Sequence, residues 1–348
     1  MFTRCVSNPV IKPVDVKPSL EGYQVIGAFN PAATVFKDQV ILLLRVAENC
    51  IPVEGKYRVP VYEFSGGIGK PSIKEFDASD PDVSLKDTRG VVYKGKDYLS
   101  SMSHIRAARS SDGINFTIDE KPFIFPKSLE EEYGVEDPRI TCIDGKYYIN
   151  YSIVSQDSWC TALAVTEDFM SYEKLGIIFH PENKDVTIFP ERVNDKYIAL
   201  HRPNNSGFGK ASIWYAESPD LLHWGKHKCL LRPRDTSYES MKIGGGAPPI
   251  KTKEGWLCIY HGKGDNQRYS LFAMLLDLEQ PWKIIKHPMK PIFEPEADYE
   301  VNGFFPNVVF SNGMFEKGGK LYMYYGASDD TSCLALTTVD DILAGMFC

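Results

Sequence analysis

Hydrophobic residues along this chain come in short runs, and the runs recur with the same neighbours. The run Val40-Ile41-Leu42-Leu43-Leu44 follows a turn at Lys37-Asp38, which follows a polar lead-in, Asn30-Pro31-Ala32-Ala33-Thr34-Val35-Phe36. Short apolar runs bounded by Gly, Asp or Pro signal buried strands, and the near absence of a helical period argues against long helices. The pattern returns at 87–93, with the turn Lys94-Gly95-Lys96, the run Tyr98-Leu99-Ser100 and then 104–109. A third copy covers 137–142, the turn Asp144-Gly145, 147–151 and 161–165. Later copies are 186–190 with 197–202, 247–250 with 256–261, and 306–310 with 321–325. A spacing of roughly 50 to 60 residues suits a four-stranded blade of a β-propeller. The sequence therefore predicts an all-β propeller built as one domain over residues 1–348. Six lead-ins fit six blades, or five if the first and last units share a blade. Only 128–133 and 339–346 read as helical.

Composition adds to this picture at three points. Aromatic residues make up 12% of the 348 positions, with 19 Tyr and 19 Phe; they favour strands and offer flat faces to sugar rings. The net charge of −7 argues against nucleic acid as a partner, so any anion must be held in a local basic pocket. The N-terminus lacks an apolar core of signal-peptide length, and no apolar run reaches membrane-spanning length. The eight cysteines are scattered without a Cys-x-x-Cys pair, and the seven histidines lack metal-ligand spacing. These features predict a cytoplasmic protein with reduced thiols, no metal and no membrane contact.

Three constellations carry candidate chemistry. Glu136-Asp137-Pro138-Arg139 precedes a strand-like run, and Asp87-Thr88-Arg89 is a similar piece earlier in the chain. Asp137 reads as a general acid, with Arg139 orienting it or binding an anion; the alternative is an Asx turn with a solvated ion pair. An adjacent arginine lowers a carboxyl pKa, so an acid role requires burial or a directly bonded substrate hydroxyl. The second constellation is basic: Arg202 after His201, Lys242 before Gly244-Gly245-Gly246, and His261 at the end of an apolar run. Together these form a candidate anion pocket, although each could pair with a carboxylate instead. The third, Asp329-Asp330-Thr331 after Tyr324-Tyr325-Gly326, is a candidate grip on sugar hydroxyls or a tight turn.

The motifs Gly134-Val135-Glu136-Asp137-Pro138-Arg139-Ile140, Leu200-His201-Arg202-Pro203, Lys242-Ile243-Gly244 with Pro248-Pro249-Ile250, Tyr260-His261-Gly262 and Tyr325-Gly326-Ala327 together resemble glycoside hydrolase family 130. The resemblance implies a five-bladed β-propeller acting on β-mannosides, in most members as an inverting phosphorylase and in some as a hydrolase. It implies that Asp137 is the proton donor, acting through the mannose 3-hydroxyl, and that inorganic phosphate is a co-substrate with no other cofactor. Phosphate would be held by Arg202, Lys242 and His261, with Arg139 beside them. The family's hydrolases resemble the phosphorylases except for glutamates at these basic positions, so the basic set favours phosphorolysis. Glu239 keeps the hydrolase alternative open, and otherwise is expected to pair with Lys242. Candidate sugar contacts are Asn30, Arg45, Ser103, His104, Arg106, His201 and Asp330. The segment Ser101-Met102-Ser103-His104-Ile105-Arg106 resembles the branch acting on β-1,2-mannobiose and short β-1,2-oligomannans, ahead of β-1,4-mannosides. A sugar-binding propeller without catalysis is a third reading. Family members often oligomerise, so a homo-oligomer is expected.

Overall fold

The computed structural model describes residues 2–65, 68–87, 90–204 and 207–347. The first sheet joins Tyr23–Phe36, Gln39–Cys50, Ser101–Ser110 and Thr117–Ile118, each antiparallel to the next. The second joins Gly134–Ile143, Lys146–Ser155, Ser158–Thr166 and Glu173–Phe179, and touches the first through one parallel pair, Gly134 with Ser103. Asn183–Ile188, Tyr197–Pro203, Ile213–Ser218 and Gly225–Leu231 make the third. The fourth contains Lys242–Gly245, Trp256–Lys263, Tyr269–Leu276 and Ile284–Lys286, with Ile250–Lys251 beside its second strand. The last is built from Val309–Lys317, Lys320–Ala327 and Thr331–Thr337, and takes its outer strand, Thr3–Arg4, from the start of the chain.

An apolar seam separates each sheet from the next. Ile41 and Ile105 meet Ile149 and Ala162 between the first two sheets, and Leu163 and Ile178 meet Ala199 and Ala216 between the next two. Ile198 and Tyr215 pack on Cys258 and Met274, and Leu257 and Leu271 on Met323 and Ala335. Leu42 and Val46 of the first sheet close on Tyr324 and Leu334 of the last. Central strands are thus buried on both faces, which is why Val40 to Leu44 is a continuous apolar run rather than an alternating one. Each fully buried Leu, Ile or Val contributes about 1.5–3 kcal/mol.

The copy at 87–100 is the one pattern with a different outcome. Val83–Asp87, Gly90–Tyr93 and Lys96–Leu99 form a small separate sheet, next to a hairpin of Lys56–Ser65 and Ile68–Asp77. Val59, Phe76, Val91 and Tyr98 give these strands their own core. The whole segment is an insertion between Gln39–Cys50 and Ser101–Ser110, which pair directly with each other. Residues 104–109 therefore complete the first sheet instead of starting a second. Satellite strands and sheet strands share the same alternation and turn residues, so the periodicity does not distinguish them. Thr88 and Arg89 lie outside the described residues.

The helical expectations resolve into a single 3-10 turn at Leu129–Glu131 and an α-helix at Val339–Phe347. A further short helix, Asp298–Val301, carries no clear signal in the sequence. Among the described residues no helix is long and apolar enough to cross a membrane.

One local device recurs in the first strand of the sheets. Register shifts fall between Phe29 and Ala32, Glu136 and Arg139, Lys184 and Thr187, and Phe310 and Gly313. Within the first three, Asn30 (φ 47°), Asp137 (φ 48°) and Asp185 (φ 53°) adopt the left-handed conformation. Asn and Asp tolerate that conformation better than other residues with a Cβ. A bulge there bends the strand and re-aims a side chain.

Candidate active site

Three of the bulges deliver Asn30, Asp137 and Asp185 to one small cavity of about 140 Å³. Its lining divides into three chemistries. On one side, Asn30 Nδ2 donates to Asp137 Oδ1 (2.9 Å), Arg45 Nη1 approaches the same oxygen (3.3 Å), and Arg45 Nη2 donates to Glu136 Oε1 (2.7 Å). Arg45 is itself steadied by Ser103 Oγ at 3.1 Å and by the Phe29 ring at 4.9 Å. Asp329 completes this side of the lining.

A second part of the lining is a cationic group arranged about Asp185. Arg202 Nη1 is 2.8 Å from Asp185 Oδ2, His261 Nε2 is 3.4 Å from the same atom, and Lys184 and Lys242 stand beside them. Tyr269, Phe305, Val308 and Phe310 form an aromatic and apolar wall. Lys242 Nζ lies 5.1 Å from the centre of the Tyr269 ring. The glycines after Lys242 are sterically required: a Cβ on Gly244 would sit 2.4 Å from Asp185 Oδ2, and one on Gly245 2.7 Å from the Asp185 carbonyl.

Charge balance sets the protonation states. Burial alone would raise the Asp137 carboxyl, but Arg45 above all, then Lys184, the Asn30 hydrogen bond and Arg139, hold it below its ordinary value. Burial works against Asp185 too, and the guanidinium groups of Arg202 and Arg139 outweigh it, so Asp185 is firmly ionised. Burial pushes Asp329 up to about 6, opposed by Arg45 and reinforced by Asp137 and Glu136. Lys242 is pushed down to about 8 by burial and by Arg202. His261 falls to about 3, chiefly through burial, so its imidazole is neutral near pH 7. An anion therefore meets two kinds of donor here: Arg and Lys cations, and a neutral ring.

Of the residues singled out in the sequence, Asn30, Arg45, Asp137, Arg202, Lys242 and His261 line the cavity together. Arg139 does not. Its Nε and Nη2 donate to the carbonyls of Gly246 (2.9 Å) and Gly245 (2.8 Å), and Nη2 is 3.4 Å from Asp185 Oδ1. It thus braces the glycine strand and Asp185 from outside the lining. Ser103 supports Arg45 from behind. His104 Nδ1 lies 3.4 Å from Glu48, and Arg106 Nη1 donates to the Lys17 carbonyl (2.7 Å); neither reaches the cavity. His201 turns the other way, stacking on Phe179 at 4.6 Å and bonding to Asn183 and His227. It lines a separate groove of about 1360 Å³ that contains none of Asp137, Arg202 or Lys242. Asp330 is replaced in the lining by its neighbour Asp329. Glu239 is fully buried and bonds to Arg234 and to the Tyr260 hydroxyl (3.0 Å), not to Lys242. Sequence reasoning missed Lys184, Asp185, Tyr269 and Phe305. Only Asp185 had a signal, since it matches Asn30 and Asp137 as the polar residue of a lead-in. Among the described residues no group of three or more His, Cys, Asp or Glu is placed to hold a metal.

Comparison with known proteins places this geometry in context. The sequence model of glycoside hydrolase family 130, described as β-1,4-mannooligosaccharide phosphorylase, matches residues 79–346. A β-1,2-mannobiose phosphorylase of Listeria innocua is 45% identical over 345 residues, covering 98% of this chain and 97% of that protein. A 1,2-β-oligomannan phosphorylase of a Thermoanaerobacter species is 42% identical over 248 residues, covering 70% of this chain and 82% of that one. The solved structure of β-1,2-mannobiose phosphorylase from Listeria innocua, in complex with β-1,2-mannobiose, superposes with a TM-score of 0.93 at 44% identity, covering 99% of each chain. With both the motifs and the whole-chain similarity in agreement, the chain belongs to glycoside hydrolase family 130.

Proposed function

We propose that this protein is an inverting phosphorylase that cleaves β-1,2-mannobiose, or short β-1,2-oligomannans, with inorganic phosphate. The observation that carries the reading is the cations Arg202, Lys242 and Lys184, with the neutral ring of His261, lining the same cavity of about 140 Å³ as Asp137. The relatives named above act on β-1,2-mannosides, whereas a β-1,4-mannooligosaccharide phosphorylase of Ruminococcus albus is 33% identical over 286 residues. The β-1,2 linkage is accordingly the better choice.

In the reaction, a phosphate oxygen attacks C1 of the non-reducing mannosyl unit from the cationic side. The bond from C1 to the glycosidic oxygen breaks, and one displacement gives α-mannose 1-phosphate and a sugar shortened by one unit. The leaving oxygen takes its proton from the mannose 3-hydroxyl, which is reprotonated by Asp137. Asp137 is ionised in the free enzyme because Arg45 and Lys184 hold it down. Phosphate brings negative charge to the group that includes Lys184, which weakens that hold and favours the protonated carboxyl. Proton donation is thereby coupled to the presence of the nucleophile. Asp329 and Arg45 hold sugar hydroxyls on the acid's side.

The hydrolytic alternative needs a second carboxylate to activate water. Asp185 is a poor base, since Arg202 and Arg139 hold it ionised and weakly basic. Asp329 stands on the same side as Asp137, where Arg45 contacts Glu136 and Asp137. These constraints favour phosphate over water.

We also read residues 1–348 as one catalytic unit, a five-bladed propeller closed by pairing of Thr3–Arg4 with Thr331–Thr337. The apolar seams between successive sheets, and between the last and the first, support that ring. A cytoplasmic location and a homo-oligomer complete the reading; the unpaired state of the seven described cysteines is consistent with the former.

The test is incubation with β-1,2-mannobiose with and without phosphate. Phosphate-dependent α-mannose 1-phosphate is the expected product. Free mannose released without phosphate would replace the proposal with hydrolysis, and inertness on all mannosides tried would leave a binding propeller.

A further inference from the structure

Two residues of the aromatic and apolar wall, Phe305 and Val308, are carried by a loop, 302–308, that follows the short helix Asp298–Val301. The start of this loop is tied to one residue with a buried carboxylate. Glu300 is 0% exposed, and its Oε1 accepts from Arg4 Nε (2.8 Å) and from the Tyr325 hydroxyl (2.7 Å). Its Oε2 accepts from Arg4 Nη2 (2.9 Å) and from the backbone N–H groups of Glu296 (2.7 Å) and Ala297 (3.0 Å). Such a side chain is fully satisfied and has one available position. A buried carboxylate of this kind is strongly destabilising if its partner is removed.

Arg4 is equally constrained. Its guanidinium lies 4.3 Å from the centre of the Phe293 ring and also donates to the Glu294 carbonyl (2.6 Å), while its backbone pairs with Ala335 as part of the closing strand. The fork-shaped guanidinium matches the carboxylate in two places at once, a geometry lysine does not reproduce.

From Glu300 the constraint passes into the cavity wall. The Glu300 carbonyl accepts the Val308 N–H (3.0 Å), and the Val308 carbonyl accepts the Ser328 N–H (3.1 Å). The Phe305 N–H donates to the Ser328 carbonyl (2.8 Å), and the Asn307 carbonyl accepts the Tyr269 N–H (3.0 Å). The packing is tight: a Cβ on Gly303, whose φ is 156°, would lie 2.5 Å from that of Ser328. Phe305, Val308, Tyr269 and Asp329 all line the cavity.

We propose that Arg4 and Glu300 are positioning residues: the strand that completes the last sheet also sets, through the Glu300 carboxylate, where the aromatic wall meets the sugar. The proposal rests on the phosphorylase reading for its kinetic consequence, and on the structure alone for its effect on the loop. Phe305 offers a ring and no hydrogen-bonding group, so its displacement affects sugar binding and leaves phosphate with its cations.

The experiment has a kinetic arm and a structural arm. Arg4→Ala should raise KM for β-1,2-mannobiose about tenfold, while KM for phosphate changes less than about twofold. Phe305→Ala should do the same, and the double variant should be no worse than either alone, since both remove one interaction. Arg4→Lys should recover part of the loss. In the structural arm, amide hydrogen exchange at Phe305 and Val308 should speed up about tenfold or more in Arg4→Ala, with Lys146–Ser155 unchanged. This arm needs no turnover, so it remains decisive even if the wild-type protein proves inactive on mannosides and the phosphorylase reading fails. Unaltered exchange across 302–308 in folded Arg4→Ala protein would overturn the proposal. So would a rise in the two KM values by equal factors, which marks a general loss of structure.

Discussion

Lys242 offers the sharpest test of how the cavity treats an anion. Its ammonium is displaced to about 8, by burial first and then by Arg202, with Asp185 opposing. Lys242→Ala removes one charge-assisted contact to phosphate, worth about 1.5–3 kcal/mol. It also relieves repulsion with the neighbouring cations, so the net loss should fall near 2 kcal/mol, roughly a thirtyfold rise in KM for phosphate. The effect on kcat at saturating phosphate should be much smaller, because the proton donor is untouched. The pH profile is the more specific readout. In the wild-type protein, kcat/KM for phosphate should fall above about pH 8 as Lys242 loses its proton, levelling off after a loss of at most roughly thirtyfold. Lys242→Ala should lose that limb, and Lys242→Arg should move it upward. Stability gives an independent check of sign. The fold holds this ammonium below its usual value, so its charge opposes folding below about pH 8. The Ala variant should therefore melt no lower than wild type at pH 7. An alanine variant with unchanged phosphate KM and an unchanged alkaline limb would refute the assignment of Lys242 to the anion.

Three further outcomes follow from the same geometry. Asp137→Asn should lower kcat by about 10²–10⁴, the usual range for a lost general acid, with the sheet spectrum retained and a lower melting temperature at neutral pH, since the ionised carboxylate is held by Arg45 and Asn30; retained turnover would remove Asp137 from the chemistry. Asp329 has a folded pKa of about 6, above its ordinary value, so its contribution to stability is present at low pH and lost as pH rises through about 6. Asp329→Asn should thus be more stable than wild type by about 1–2 kcal/mol at pH 7.5, a figure reduced for its partial solvent contact, and should show little gain at about pH 3, below the ordinary aspartate value. Equal gains at both pH values in thermal melts would contradict the shift. A Cβ on Gly326 would lie 2.1 Å from Asn30 Oδ1 and 2.7 Å from the Asn30 backbone nitrogen. Gly326→Ala should therefore displace Asn30 from Asp137 and cost about 10–100-fold in kcat/KM, through misplacement alone; full activity would mean that Asn30 does not orient the acid.

How far the site could be read in the sequence depended on strand parity. Asp137, Arg202, Lys242 and His261 were legible because each stands at the edge of an apolar run, where a polar side chain needs a reason. Their neighbours were misread for the same cause. Residues one apart on a strand point to opposite faces, so Arg202 enters the cavity while His201 faces a groove on the far side of its sheet. Likewise Ser103 reaches Arg45, while His104 and Arg106 turn toward Glu48 and Lys17. Arg139 failed through the bulge. The left-handed turn at Asp137 sends the acid inward and leaves Arg139 to grip Gly245 and Gly246 on another sheet. The arginine that governs the acid is Arg45, far away in sequence, and no local spacing could have named it. Asp185 shows what the repeats did contain. Aligning the lead-ins on their left-handed residue puts Asn30, Asp137 and Asp185 in one column, and all three meet at the cavity. The repeated element is therefore a bulge that aims a polar group inward. Its chemistry diverges by residue: an amide that donates to Asp137, the carboxylate of Asp137 that we propose as the acid, and a carboxylate that gathers the cations.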